Sequence, residues 1–297
     1  MATLTYDCPA KINLVLEVLR RRGDGYHDLA SVVLPITLAD SLAVRASDDI
    51  DCVVHGMALA TEANLVVRAA HLLAEAVGAT AGARCILTKR IPAAAGLGGG
   101  SSDAASALRA LNRLWGSGLS RSRLMELGAQ LGSDVPFFVH GGPALVQGRG
   151  DIVEGLARSP ALWLVLVIPG HGLADKTRAL FAALEPGDCS DGRRTDTAAR
   201  LLERTGRVNG LDLVNAFERA ARSAFPGLGE TWHAAEERIG RPFYLSGAGP
   251  ALFAFAADEA EARALAARLA GLDAAVYAAQ TLPIGPDYAT AGRMRYA

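Results

Sequence analysis

Alternation of apolar and polar positions dominates the first forty residues and then gives way to helical spacing. Lys11 to Leu19 and Ser31 to Leu38 are β-rich runs separated by the turn-like Arg22-Gly-Asp-Gly25, and both predict strands. Leu42 to Arg45 and Ile50 to His55 predict further strands, and Arg84 to Thr88 a short one. Between them, Leu65, Ala69, Leu72, Leu73 and Ala76 form one stripe at helical spacing, so Asn64 to Ala76 predicts a helix. A second helix is predicted from about Ser102 to Trp115, with Ala104, Ala107, Leu108, Leu111 and Trp115 inward; Gly116 and Gly118 end it. Ser120 is placed to cap a third, with Leu124, Leu127 and Leu131 inward.

Past residue 155 the pattern changes. Gly155, Ser159 and Pro160 mark a boundary before the continuously apolar Leu162 to Ile168, which reads as a buried strand. Residues 185 to 196 are polar and turn-rich and predict an exposed, mobile loop. Helical stretches follow near 212–224 and 230–238. Then come a strand at Phe243 to Leu245, a glycine turn Ser246-Gly-Ala-Gly-Pro250, a strand at Leu252 to Ala256 and an amphipathic helix from Asp258 to Leu269.

The helix near residue 102 begins in an unusual way. Ile91-Pro-Ala-Ala-Ala-Gly-Leu-Gly-Gly-Gly-Ser-Ser-Asp103 puts glycines at 96, 98, 99 and 100 directly before it. Glycine lets a backbone turn tightly and lets N–H groups approach a guest without Cβ interference. The first N–H groups of a helix lack intrahelical partners and sit at the positive end of its dipole, so this segment reads as an anion cradle suited to phosphate. A Walker loop is excluded because Ser101 and Ser102, with no lysine, follow the last glycine. The dinucleotide fingerprint fails as well, because the sixth position counted from Gly96 is Ser101.

Bulk properties narrow the field. A chain of 297 residues accommodates two domains of about 150 or one large one. With 30 basic and 31 acidic residues the net charge is −1, which gives no basis for a nucleic-acid or membrane-surface partner, so any anion must be recognised locally. Cys8, Cys52, Cys85 and Cys189 lack zinc-type or disulfide-framework spacing. No signal-like start and no bilayer-length apolar run is seen, so a cytoplasmic protein is expected.

Four other clusters carry polar chemistry. Period-two alternation puts Lys11 and Asn13 on one face of a strand and Ile12 and Leu14 on the other. Such a face is ordinarily the solvated side of an edge strand, but it offers an ammonium and an amide to a polar ligand. Tyr26 and His27 follow a turn and suit the sandwiching of a flat base. Asp134, in Gly132-Ser-Asp-Val-Pro-Phe-Phe138, stands where Pro136 starts a helix; its plain role is an N-cap, its alternative the alignment of a hydroxyl. Ser246-Gly-Ala-Gly249 is a turn that can line the other side of a phosphate site.

Taken together, Pro9-Ala-Lys-Ile-Asn-Leu14, Asp24-Gly-Tyr-His-Asp-Leu29, Pro92-Ala-Ala-Ala-Gly-Leu-Gly-Gly-Gly-Ser-Ser102, Gly132-Ser-Asp-Val-Pro-Phe-Phe138, Gly148-Arg-Gly150, Asn215-Ala-Phe-Glu218 and Ser246-Gly-Ala-Gly249 closely resemble the GHMP small-molecule kinase superfamily. The resemblance implies an α+β, two-domain fold, with an N-terminal ATP-binding domain over 1–158, a C-terminal domain over 159–297 and the active site in the cleft between them. It implies that Lys11 and Asp134 are the catalytic pair. The ATP loop would comprise Pro92, Ala93, Ala94, Ala95, Gly96, Leu97, Gly98, Gly99, Gly100, Ser101 and Ser102. Substrate contacts would fall on Asn13, Tyr26, His27, Thr177 and Phe181, although Gly172-Leu-Ala-Asp-Lys-Thr-Arg-Ala-Leu-Phe181 departs from the family's Ser/Thr-rich form. ATP and Mg2+ are the implied cofactors, with the metal ligands unassigned and Ser101 a candidate. The implied partner is a small molecule, a cytidine-bearing alcohol, and the chain is expected to be a monomer or weak homodimer. The alternatives are a family member acting on homoserine, mevalonate or a sugar, and a non-catalytic sensor on the same fold.

Overall fold

The computed structural model describes residues 3–57, 64–158, 160–170, 176–208 and 210–282, and the backbone of 293–295. Ser159, part of the expected boundary, lies outside them. Two long antiparallel strands, β1 (Thr3–Arg21) and β2 (His27–Ser47), form the spine. The expected strands at Ser31–Leu38 and Leu42–Arg45 are one continuous β2, which pairs β5 (Ala144–Gly148) with its first half and β4 (Gly82–Thr88) with its second. β3 (Ile50–His55) lies parallel to β4, β6 (Ile152–Gly155) pairs β5, and β11 (Arg293–Arg295) pairs the start of β1.

Helices α1 (Leu65–Val77), α2 (Gly99–Leu114), α3 (Arg121–Leu131) and α4 (Val135–His140) pack on one face of this sheet. Ser120 caps α3, as the sequence predicts, and Asn64, where the predicted helix begins, caps α1 through its side chain. Leu73, Leu108, Leu111 and Phe137 fill the interface with Leu42 and Leu87 of the sheet.

The second sheet runs β10-β7-β9-β8, from β7 (Trp163–Pro169), β8 (Tyr244–Leu245), β9 (Leu252–Ala256) and β10 (Ala274–Gln280). It packs with α5 (Lys176–Ala182), α6 (Arg193–Thr205), α7 (Glu218–Ala224), α8 (Leu228–Ile239) and α9 (Glu259–Arg268). Ile12, Leu14 and Leu34 on the far face of β1 and β2 share a cluster with Leu164, Leu166, Phe253 and Leu202, so the two sheets are joined by a common core. Residues 185–196 differ from expectation: a turn at Pro186–Asp188 leads into α6, and Thr195 is buried. The cause is remote in sequence. The Glu17 carboxylate on β1 accepts Ser190 Oγ at 2.8 Å and the Thr195 backbone N–H at 2.7 Å, capping the first turn of α6.

Candidate active site

A cleft of about 460 Å³ opens between the sheets, lined by Lys11, Asn13, Ser31, Lys89, the 92–101 loop, Asp134, Arg149, Lys176, Thr177, Phe181 and Gly247. Its floor is the glycine loop. α2 begins at Gly99, three residues before the predicted start, so Gly99, Gly100 and Ser101 form its first turn and line the cleft. Their N–H groups are therefore the free ones of a helix N-terminus. Leu97 and Ser102 lie beneath this surface, each about 1% exposed.

Gly96 and Gly247 bring the two glycine loops into backbone contact. Gly96 has φ +85°, and a Cβ there would stand 2.4 Å from the Ser246 carbonyl oxygen. Gly247 has φ +56°; a Cβ there would meet both the Gly96 carbonyl and Lys11 Nζ at 2.9 Å. The seam is stitched by Ser246 Oγ donating to the Gly96 carbonyl and by Ala251 N–H donating to that of Ala95. The Ser246–Gly249 turn thus lines the cleft's far side, as its sequence allows.

Lys11 stands next to this seam. Far from lying on a solvated face, it is 5% exposed, because β2 pairs with β1 on one side of it and the glycine loop covers the other. Its backbone N–H donates to the Leu97 carbonyl at 3.0 Å, which fixes the strand to the loop. Nζ donates to Asn13 Oδ1 and lies 3.9 Å from Asp134 Oδ2. Asn13 is itself held, since its amide donates to Ser31 Oγ at 2.7 Å and that hydroxyl donates to the Val15 carbonyl at 2.7 Å. Burial lowers the Lys11 pKa, and the Asp134 charge only partly opposes it. Asp134 occupies the N-cap position of α4 but makes no side-chain cap bond; its half-exposed carboxylate faces Lys11.

Lys89, Asp40 and Asp103 were not singled out by sequence as a unit. Lys89 Nζ bonds Asp40 and, at 2.6 Å, Asp103 Oδ2, while Asp40 Oδ1 also accepts Ile91 N–H at 2.8 Å. Asp40 joins β2 to both the lysine and the start of the loop. Burial pushes the Asp103 carboxyl up to about 7 against the pull of Lys89. Lys176, also missed, heads α5 and donates to the carbonyls of Ala94 and Gly249.

At the other end, Phe181 of α5 stacks on His27, ring centroids 4.8 Å apart and 14° from parallel. Thr177 lies on the same helix and lines the cleft. Tyr26 is 56% exposed with the Arg149 guanidinium 5.1 Å from its ring centroid. The ring facing His27 is therefore Phe181, and Tyr26 faces Arg149.

The oxygens at the first turn of α2 fit a hard cation. Ser101 lines the cleft, and beside it Ser102 Oγ and Asp103 Oδ1 are buried without hydrogen-bond partners among the described residues. No cluster of three or more His, Cys, Asp or Glu suited to a metal occurs among the described residues, so such an ion would lean on ligand oxygens. No helix among them is long and apolar enough to cross a membrane.

Comparison with known proteins defines the class. The family model for the GHMP kinases N terminal domain matches residues 64–142, and that for GHMP kinases C terminal matches 194–272. The chain is a GHMP-type small-molecule kinase. It is 41% identical over 259 residues to the 4-diphosphocytidyl-2-C-methyl-D-erythritol kinase of Dehalococcoides mccartyi, covering 86% of this chain and 90% of that one. A crystal structure of 4-(cytidine 5'-diphospho)-2C-methyl-D-erythritol kinase superposes with TM-score 0.80 at 35% identity, over 95% of this chain and 100% of the other. The chain belongs to this family of kinases. Homoserine kinase from Cytophaga hutchinsonii, at 18% identity and TM-score 0.69 over 95% of each chain, shares the fold.

Proposed function

We propose that the protein transfers the γ-phosphoryl group of ATP to the 2-hydroxyl of 4-diphosphocytidyl-2-C-methyl-D-erythritol. The products are the 2-phosphate and ADP, in a cytoplasmic step of non-mevalonate isoprenoid precursor synthesis. The observation that carries this reading is the apposition of Lys11 and Asp134 beside the glycine loop, in the same cleft as Phe181. A sensor built on this fold would have no need of that pair.

Phosphoryl transfer asks the protein mainly for alignment and charge stabilisation. The first-turn N–H groups of α2 and its dipole hold the β- and γ-phosphates. Magnesium, when bound, neutralises phosphate charge, and Ser101 is the residue that would hold it. Asp134 orients the acceptor hydroxyl and takes its proton as the new P–O bond forms. Carboxylic acids near pKa 3.9 are far stronger acids than alcohols, so alignment precedes proton transfer. Lys11 faces the Asp134 carboxylate and the developing alkoxide; Asn13 holds the ammonium in place. A base inserted between Phe181 and His27 would need roughly 7 Å, two carbon contact distances of about 3.5 Å. Cytosine therefore parts these rings, stacking on Phe181 while His27 turns to its polar edge and Tyr26 and Thr177 flank it.

A coupled ADP-release assay across acceptor alcohols tests the assignment. Turnover is expected with the cytidine diphosphate substrate and not with homoserine, mevalonate or galactose. ATP-dependent product from one of those three, with none from the cytidine compound, would overturn it.

A further inference from the structure

Lys176 is a cleft cation with no role in the mechanism above. It sits at the N-terminal end of α5, five residues before Phe181, so one short helix carries both the ring proposed for the base and a lysine whose backbone is about 7.5 Å away along its axis. Its Nζ donates to the carbonyl of Ala94 in the first glycine loop at 2.6 Å and to that of Gly249 in the second. Ala94 takes φ +51°, a left-handed conformation that non-glycine residues rarely adopt. The ammonium thus stands where the nucleotide wall meets the acceptor wall, lining the same cleft as Lys11 and Asp134. Both of its hydrogen-bond acceptors are neutral carbonyls, and the group that crosses between these walls is the anionic phosphoryl.

We propose that Lys176 is a further catalytic residue, its ammonium leaving the two carbonyls to donate to the equatorial oxygens of the phosphoryl group in transfer. The inference rests on the kinase reading above. As the bond from phosphorus to the β,γ-bridging oxygen breaks and the bond to the acceptor oxygen forms, the hydroxyl proton passes to Asp134 and ADP leaves. Lys176 moves no proton and supplies charge alone. Burial, reinforced by Lys11, lowers its pKa to about 8. The charged groups facing it are Lys11 on β1 and Asp134 at the start of α4.

The test is steady-state kinetics of Lys176→Met and Lys176→Arg with saturating ATP and the cytidine substrate. Lys176→Met is expected to lower kcat about 100-fold, the size of losing one transition-state donor, with both KM values little changed; Lys176→Arg should recover most of the loss. Wild-type kcat should fall as pH rises through about 8, and in the arginine variant that fall should move up by more than about one unit, since guanidinium stays charged. If Lys176→Met keeps near-normal kcat, or raises only the acceptor KM, the ammonium does not serve the transition state and the proposal fails. Should the methionine variant not fold, an unchanged pH profile in the arginine variant has the same force. A wild type that releases no ADP with the cytidine substrate sinks the substrate assignment instead; the variants are then compared on whichever acceptor the wild type uses.

Discussion

Two lysines whose side chains lie against the glycine loop behave in opposite ways. The side chains of Lys11 and Lys89 are 6% and 7% exposed. For Lys89, burial pulls the pKa down, but the charges and hydrogen bonds of Asp103 and Asp40 more than reverse it, and the net direction is up. Lys11 has only an amide oxygen and a half-exposed carboxylate 3.9 Å away, so burial prevails and the direction is down. Similar side-chain exposure with unequal compensation separates a cation that fixes scaffold from one whose charge is left for a substrate.

The sharpest way to break that distinction is at the compensating groups. Asp134→Asn is expected to lower kcat by roughly 10³-fold, within the range for a positioned acid–base group. ADP affinity and melting temperature should stay near wild type; near-normal turnover would remove Asp134 from catalysis. Lys89→Met strands two buried carboxylates and should cost roughly 3–5 kcal/mol in urea unfolding. Lys11→Met should do the reverse, losing turnover while stability holds, and equal destabilisation of the two variants would dissolve the contrast. Phe181→Ala should raise the KM for the cytidine substrate by the equivalent of about 1–3 kcal/mol of base stacking. Tyr26→Ala should raise it less, because that ring is exposed beside Arg149.

The smallest effect is a pH slope. Because the folded Lys11 pKa lies below that of the unfolded chain, the unfolded state binds more protons between the two values, and this residue makes stability rise with pH across that window. Lys89, raised in the fold, contributes stability that is full below the unfolded value near 10.4 and lost above it. Melting temperatures of wild type, Lys11→Met and Lys89→Met from pH 8 to 11 should therefore differ in the sign of their change; parallel curves would contradict the assignment.

Features set by a few consecutive residues were legible in the sequence. The glycine run and the helix behind it, the alternation that turns Lys11 and Asn13 one way, and the cap at Ser120 all arise within a turn or a strand. What escaped depends on partners far along the chain. Lys89 meets Asp40 across 49 residues, Lys176 meets Ala94 across 82, and Glu17 caps α6 at Thr195 across 178. Without Glu17 in view, the polar 185–196 stretch read as a loop. Asp40 made β2 look interrupted, although it is fully buried and spent on Lys89 and the loop backbone. β10 was unread because Ala274–Gln280 is alanine-rich, and its strand conformation comes from pairing with β7.

The seam between the glycine loops bears on inhibitor resistance. A compound lying against Gly96 and Gly247 would touch main chain, and an enzyme usually escapes a drug by changing a side chain. Here any replacement adds a Cβ 2.4 Å from the Ser246 carbonyl, or 2.9 Å from Lys11 Nζ. The escape mutation would therefore damage the reaction centre along with the drug's foothold.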